Sequence, residues 1–208
     1  TIECARLLAQ VTEGFVPPEG PGTPTADVYS LGKVLTEVCL GHAALKDPAA
    51  TVTQLVYEVP KHLKPALLIH LLSDPSFDTV LVFSRMKHGA DRIARHLERC
   101  GISTATLHSN RSQNQRLKAL KDFRSGAVRV LVATDIAARG IDVDGISHVV
   151  NYDFPLHSED YVHRIGRTGR AHAVGDAVSF VTPEDHPALR ALERFIGRGI
   201  VRKRAGGL

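Results

Sequence analysis

A run of basic residues between His163 and Arg170 is the part of the sequence best suited to chemistry. It holds three arginines: Arg164, Arg167 and Arg170. If the run is helical, Arg167 and Arg170 share one face, with His163 one turn before Arg167. Gly166 and Gly169 would let a phosphate or another backbone approach closely, and guanidinium groups pair with phosphate or carboxylate oxygens. The run therefore predicts a polyphosphate or carboxylate site; the alternative is a solvated basic surface.

The overall composition is globular, with an uneven distribution of charge. The chain has 208 residues, 43% hydrophobic and 23% charged, enough for one ordinary domain plus an appendage. The net charge is +4, yet residues 1–46 hold three Lys or Arg against five Asp or Glu. The remainder is therefore the basic part, and it suits a polyanionic partner.

Cysteine usage and hydropathy indicate the cellular setting. The three cysteines lie far apart and form no Cys-x-x-Cys pair, which favours neither a zinc site nor a disulfide framework. A reducing, cytoplasmic location fits this pattern best. No apolar run reaches membrane-spanning length and no basic-then-apolar leader opens the chain, so we expect no membrane partner.

Alternating strand and helix patterns must position the basic run. Predicted strands cover residues 51–59, 79–83, 102–107, 128–133, 148–152 and 177–181. Four helices are predicted. The first covers residues 66–72, and the last begins at 182–185. The second has an apolar face of Met86, Ala90, Ile93, Ala94 and Leu97, and the third covers residues 112–124 and buries Leu117, Leu120 and Phe123. This alternation predicts an α/β fold with a parallel sheet covered on both faces. A solvated basic tail is expected from Arg198, Arg202, Lys203 and Arg204.

Polar residues follow four of the predicted strands. They are Ser84 and Arg85, then residues 108–111, 134–142 and 153–155. Ligands of parallel α/β sheets bind beyond the carboxyl ends of the strands. Hydroxyl, amide and guanidinium donors in several loops on one edge therefore predict a phosphate-binding edge.

These loops also carry the motifs of a known family. Residues 80–85 (VLVFSR) match motif IV, 113–116 (QNQR) the QxxR element, 133–143 (ATDIAARGIDV) motif V, 149–155 (VVNYDFP) motif Va and 163–170 (HRIGRTGR) motif VI. Residues 47–205 thus resemble the second, C-terminal RecA-like domain of a DEAD-box ATP-dependent RNA helicase. The resemblance implies a RecA-like three-layer sandwich with a mainly parallel sheet, preceded by a short helical or irregular N-terminal segment.

The resemblance also implies roles for individual residues. Arg167 and Arg170 correspond to arginine fingers that meet the γ-phosphate of ATP, and His163 and Arg164 join them in the catalytic set. Gly140 and Asp142 would contact the ATP ribose. The residues implied in RNA binding are Ser84, Arg85, Asn110, Gln113, Arg116, Thr134 and Asp135. Such contacts would meet the sugar-phosphate backbone and read no base sequence.

Residues 1–46 carry a different pattern, and we place a domain boundary near Asp47. Pro17, Pro18 and Glu19, followed by residues 27–35 (DVYSLGKVL), resemble a fragment of a protein kinase C-lobe. The kinase glycine-rich loop, catalytic loop and metal site have no counterpart, so we expect no kinase activity. An amphipathic helix with a proline-rich lead-in explains this stretch equally well.

Half of the family's catalytic machinery is missing from the sequence. The P-loop, the adenine-reading Gln motif and the Asp-Glu-Ala-Asp metal site, which cradle ATP and Mg²⁺ in the N-terminal RecA-like domain, do not occur. We therefore expect no ATP hydrolysis by this chain alone, because positioning and the metal supply most of the catalysis. The alternatives are a stand-alone RNA-binding module that has lost catalysis and a kinase-like regulatory scaffold. A fragment of a longer product and a natural fusion are both compatible with the sequence.

Overall fold

A computed structural model describes residues 52–138, 143, 145–169 and 175–204. The strands are β1 (Val52–Glu58), β2 (Val80–Phe83), β3 (Thr104–Leu107), β4 (Val130–Ala133), β5 (His148–Asn151), β6 (Gly175–Val181) and β7 (Val201–Arg204). The α-helices are α1 (Lys64–Leu72), α2 (Lys87–Arg99), α3 (Gln113–Arg124), α4 (Asp135–Ala138), α5 (Ser158–Ile165) and α6 (His186–Phe195). Short 3₁₀ helices cover Lys61–Leu63 and Pro183–Asp185.

The strands form one seven-stranded sheet in the order β3-β4-β2-β5-β6-β1-β7. Every pairing in it is parallel. Such a sheet is buried on both faces, and β2, β4 and β5 have no exposed residue. The predicted parallel α/β sheet is confirmed.

Alternate strand residues pack against helices on opposite faces. Val80 and Val82 share a core with α1 and α2, whereas Leu81 and Phe83 pack against α3. On the face of α3, helices α5 and α6 cover β1 and β6, with Tyr161 fully buried between them and the sheet. Because side chains alternate along a strand, one run of apolar residues supplies two cores. The three-layer sandwich expected from the family resemblance is confirmed.

Two apolar residues expected in the core are exposed. Met86, expected on the apolar face of α2, is 62% exposed because it is the N-cap residue that precedes the helix. Leu117 is 56% exposed, because α3 packs through Ala119 and Phe123 and Leu117 lies about 160° around the helix from Ala119. The basic residues 202–204 are solvated as expected, but they belong to a regular strand, since β7 pairs in parallel with β1 at the sheet edge. All four of its residues are exposed, so its sequence lacks the apolar run that marks a central strand.

Residues 1–51 lie outside the described part of the chain, so the kinase-like resemblance and the domain boundary stay predictions. Within the described ranges, no helix combines the length and the apolar character needed to cross a membrane.

His148, at the start of β5, makes stability depend on pH. Its ring stacks on Phe77 with centroids 3.7 Å apart. Burial lowers its pKa below 6.5, against the opposing pull of Asp176 and Asp74. As pH falls through 6.5, the unfolded chain takes up this proton before the folded chain does, so the free energy of unfolding decreases.

His148→Phe keeps an aromatic ring against Phe77 and removes the titrating group. We expect urea unfolding between about pH 7.5 and 5.5 to show a smaller pH slope for the variant than for the wild type; equal slopes would contradict this.

Candidate functional site

The carboxyl ends of the central strands bring the polar loops to one edge of the sheet. Phe83, the last residue of β2, is in register with Ala133 of β4 and Asn151 of β5, and Ala133 is in register with Leu107 of β3. The residues that follow these four strands therefore emerge side by side. Predicted site residues of motif IV (Ser84 and Arg85) and motif V (Thr134 and Asp135) therefore share this edge with the loop of motif Va.

Arg164 lies at the centre of this edge, on α5. Its side chain is 4% exposed, and its guanidinium group packs 5.0 Å from the centroid of the Phe83 ring. Nε and Nη2 donate to the two carboxylate oxygens of Asp135 at 2.6 and 2.8 Å. Nη1 donates to Oδ1 of Asn151 at 3.0 Å and to the carbonyl oxygen of Asp153 at 2.8 Å. Arg164 thus ties α5 to the ends of β4 and β5.

Asn151 is a site residue that the sequence analysis missed. It is fully buried; its side chain accepts from Arg164 and donates from Nδ2 to Oγ of Ser179 at 3.0 Å. A polar residue at the end of an apolar strand was the available signal. The carboxylate of Asp135, predicted to contact RNA, accepts two hydrogen bonds from Arg164.

Arg167 lies beyond the end of α5. The helix ends at Ile165 with Gly166 as its cap, and the chain continues in turns in which Arg167 N donates to the Arg164 carbonyl at 3.1 Å. The Arg167 side chain folds back, and its Nε donates to the His163 carbonyl at 3.3 Å. His163, Arg164, Arg167 and Asp135 line one hollow together with Phe83. The structure thus brings three of the four predicted catalytic residues together; Arg170, Gly140 and Asp142 lie outside the described residues.

The turn that carries Arg167 is fastened to the sheet. Thr168 is buried, and its hydroxyl donates to the carbonyls of Ile146 and Ser147. Gly169 has φ +69°, in the left-handed region that favours glycine. At Gly175, a Cβ would lie 2.8 Å from Cα of Gly169 and closer still to its nitrogen. Glycine at 175 therefore permits the start of β6 to pass directly behind the turn.

Ser84 and Arg85 meet Asp153 across the edge. Ser84 is fully buried and its Oγ donates to Oδ2 of Asp153 at 3.1 Å, while the Arg85 backbone N–H donates to the same oxygen at 2.9 Å. The Arg85 guanidinium donates to the carbonyl of Phe154 at 3.0 Å and lies 3.9 Å from Oδ1 of Asp185, with its side chain 47% exposed. Arg85 is therefore a half-exposed cation that contacts within the domain hold in place.

A second network holds the loop after β3. The buried His108 ring places Nε2 2.9 Å from Oδ1 of Asp91, and Nη2 of Arg111 donates to the same oxygen at 2.9 Å. Burial raises the pKa of Asp91, but the hydrogen bonds and charges of His108 and Arg111 lower it overall. Lys87 donates to Oδ1 of Asn110 at 3.0 Å. Asn110 is therefore oriented from α2.

The first turn of α3 carries the remaining predicted RNA contacts. Ser112 and Gln115 form a reciprocal capping box, which fixes the start of the helix. Gln113 is exposed and Arg116 is half-buried. Nε of Arg116 is buried without a hydrogen-bond partner among the described residues, and such an N–H is costly unless an acceptor reaches it. Thr134, half-buried, donates its backbone N–H to Leu107 on the neighbouring strand.

Comparison with known proteins places the chain in a family. The family described as Helicase conserved C-terminal domain matches residues 63–172. The ATP-dependent RNA helicase RhlB of Pseudomonas syringae pv. tomato is 43% identical over 180 residues, which cover 86% of this chain and 45% of that protein. The chain thus spans under half of that relative's length.

Solved structures give the same result. The E. coli DEAD-box protein SrmB, solved bound to regulator of ribonuclease activity A, superimposes with a TM-score of 0.69 and 39% identity, covering 73% of this chain and 89% of that one. S. cerevisiae Dbp5, solved bound to RNA and ADP BeF3, gives a TM-score of 0.71 and 30% identity over 75% of this chain and 42% of that one. The sheet order, the motif positions and these matches agree, and the chain belongs to the DEAD-box RNA helicases, with the helicase conserved C-terminal domain of that family.

Proposed function

We propose that this chain supplies one wall of an ATP- and RNA-binding cleft, which an N-terminal RecA-like domain completes. The observation that carries the proposal is the hollow shared by His163, Arg164 and Arg167 at the carboxyl edge of the sheet. Relatives of the chain are ATP-dependent RNA helicases by name, which supports ATP as the nucleotide.

The contacts of the three residues favour different roles for them. Four N–H donors of Arg164 are satisfied inside the domain by Asp135, Asn151 and Asp153, so we assign Arg164 to positioning. Arg167 lies just beyond the end of α5, where its Nε donates to the His163 carbonyl and its side chain lines the hollow. Because of this position, and because the family resemblance assigns it that role, its guanidinium group is our candidate for the arginine finger, with Arg170 as its expected partner. A finger stabilises the charge of the transferring phosphoryl group and contributes roughly 10³–10⁵ in rate.

We place RNA on the same edge, against the loops that follow β2, β3 and β4. Arg85 supports this placement, because its side chain is half-exposed although it lies 3.9 Å from Asp185. The half-buried Arg116 supports it as well, since its Nε has no partner among the described residues and guanidinium groups donate to phosphate oxygens. S. cerevisiae Dbp5, a structural relative, was solved bound to RNA, which supports RNA as the ligand. Ser84, Asn110, Gln113, Thr134 and Asp135 complete the proposed set; contacts of this kind bind the backbone and give no base specificity.

The chemistry requires groups that this sequence lacks. Mg²⁺ and the triphosphate would be held chiefly by the N-terminal RecA-like domain, and the bound Mg²⁺ would neutralise charge that develops on the β- and γ-phosphate oxygens. This chain would contribute the finger, the ribose contacts of Gly140 and Asp142, and the RNA grip. We therefore expect hydrolysis and unwinding only when both domains are present.

RNA-stimulated ATP turnover tests the proposal. The chain would be assayed alone, then mixed with a separately expressed DEAD-box N-terminal domain, with and without single-stranded RNA. We expect no turnover by either part alone and RNA-dependent turnover in the mixture. ATP turnover by this chain alone would contradict the proposal that hydrolysis requires both domains. If the mixture binds RNA but shows no ATP turnover, the stand-alone RNA-binding module would be favoured instead. A covalently linked pair of domains would show whether weak association of the two domains explained the missing turnover.

A further inference from the structure

A groove runs between α1 and α2 on the sheet face opposite α3. Two adjoining cavities of about 820 and 290 Å³ form it, and both are lined by Pro65, Arg92, Ile93 and Tyr152. The larger cavity includes Ser84 and Arg85, and the smaller one reaches Arg99 at the end of α2. This α1–α2 groove therefore begins at the proposed RNA edge and continues away from it.

The rim of the groove is strongly basic. Lys61 and Arg85 lie on it, together with three arginines of α2: Arg92, Arg95 and Arg99. Asp153 is the one carboxylate among the described lining residues. The side chains of Lys61, Arg92 and Arg99 make no hydrogen bond or ion pair with any other described residue. Within the described part of the chain these cations are therefore not used in the fold, and they suit an anionic partner.

The floor of the groove is apolar and includes an aromatic ring. Pro65, Leu68 and Ile93 line it beside Tyr152, whose ring is tilted against Phe180 in the core, with centroids 5.7 Å apart. Arg92 and Arg99 are two turns apart on α2, about 10 Å along the axis. This distance exceeds the ~3.4 Å rise between adjacent phosphates of one strand, so the two arginines would meet different phosphates. Cations spaced along an apolar, aromatic floor suit single-stranded RNA, because phosphates meet the rim and bases meet the floor.

We propose that the α1–α2 groove binds a further stretch of single-stranded RNA, continuous with the strand that contacts Arg85. The inference rests on the proposed RNA-binding function and extends it beyond the motif residues. An acidic peptide would also complement the charge. Continuity with Arg85, which lines both the groove and the proposed RNA edge, favours RNA as the occupant.

The test compares two lengths of RNA. The whole chain, as wild type and as Arg92→Gln/Arg99→Gln, would be titrated by fluorescence anisotropy with a short oligouridylate and one twice as long, at several salt concentrations. Loss of two phosphate contacts should lower the salt slope for the long RNA by about 1.4 and its affinity by about 25-fold at roughly 0.1 M salt. The short RNA, which would occupy only the motif edge, should lose little.

A matched control removes the same charge elsewhere. Arg190 and Arg194 are exposed on α6, which covers the other face of the sheet, so Arg190→Gln/Arg194→Gln should leave both RNAs unaffected. The proposed RNA binding by the groove would be contradicted if Arg92→Gln/Arg99→Gln lost equal affinity for the long and the short RNA. It would also be contradicted if the salt dependence of its affinity for the long RNA equalled that of the control variant. An oligoglutamate that binds with dependence on Arg92 and Arg99 when the long RNA shows none would contradict it too. A wild-type chain that binds neither RNA would overturn the proposed RNA function itself, which separates the two failures.

Discussion

Replacing Arg167 by alanine is expected to lower RNA-stimulated ATP turnover by roughly 10³–10⁵-fold, about 4–7 kcal/mol of activation free energy, once the N-terminal RecA-like domain is supplied. The reason is positional. The turn that carries Arg167 is anchored by the buried Thr168 hydroxyl, so the guanidinium group is delivered from a fixed backbone to the hollow beside His163. Preorganised charge of this kind stabilises a transition state without further rearrangement.

Two further variants make the Arg167 prediction specific. Arg167→Lys keeps the positive charge but loses the planar fork, and we expect most of the loss to remain. Arg190→Ala, at an exposed position of α6, should retain full turnover. Nucleotide affinity and thermal unfolding would be measured on the same samples, and both should change little for Arg167→Ala. Turnover within threefold of wild type would refute the assignment of Arg167 as a finger.

Replacing Arg164 by methionine is expected to act first on stability. The change leaves the carboxylate of Asp135, 31% exposed, without its bidentate partner, and leaves the fully buried Asn151 without its donor. Breaking a buried ion pair by removal of one partner costs about 3–5 kcal/mol. Partial exposure of Asp135 places the expected loss near the lower figure, still a large share of a typical domain stability of about 5–15 kcal/mol. Urea unfolding followed by circular dichroism measures it, since the chain has no tryptophan.

A double-mutant cycle separates the pair from the rest of the network. Asp135→Asn alone removes the carboxylate while keeping a side-chain oxygen that can accept from Arg164, so we expect it to cost less stability than Arg164→Met and to remain measurable if that variant is too unstable to purify. The two changes combined should cost clearly less than their sum, because each removes the same interaction. Arg190→Met controls for loss of an arginine at an exposed site. A cost below 1 kcal/mol for Arg164→Met would show that the network contributes little to stability.

Much of the architecture was readable from local patterns. The apolar runs that became β2, β4 and β5 are buried on both faces, and alternation with helices was enough to predict parallel pairing. The face of α2 through Ala90, Ile93, Ala94 and Leu97 is buried as predicted. These features depend on residues within a few positions of one another, where periodicity and burial are linked directly. The placement of polar loops on one edge followed from the parallel topology alone.

Other features depend on residues that are distant in the chain and had no local signal. Arg164 finds its partners 11 to 29 positions away, on α4, β5 and the loop after β5, so its internal contacts could not be inferred from the motif. The basic β7 is a strand because β1 offers it a free edge, not because of its own composition. Leu117 is exposed because the sheet meets α3 along a different stripe. The α1–α2 groove likewise exists only where two helices, α1 apolar and α2 amphipathic by sequence, leave a gap over Tyr152. Periodicity and motif spacing thus predict elements and their order, whereas the partners of a charged group depend on which elements the fold places side by side.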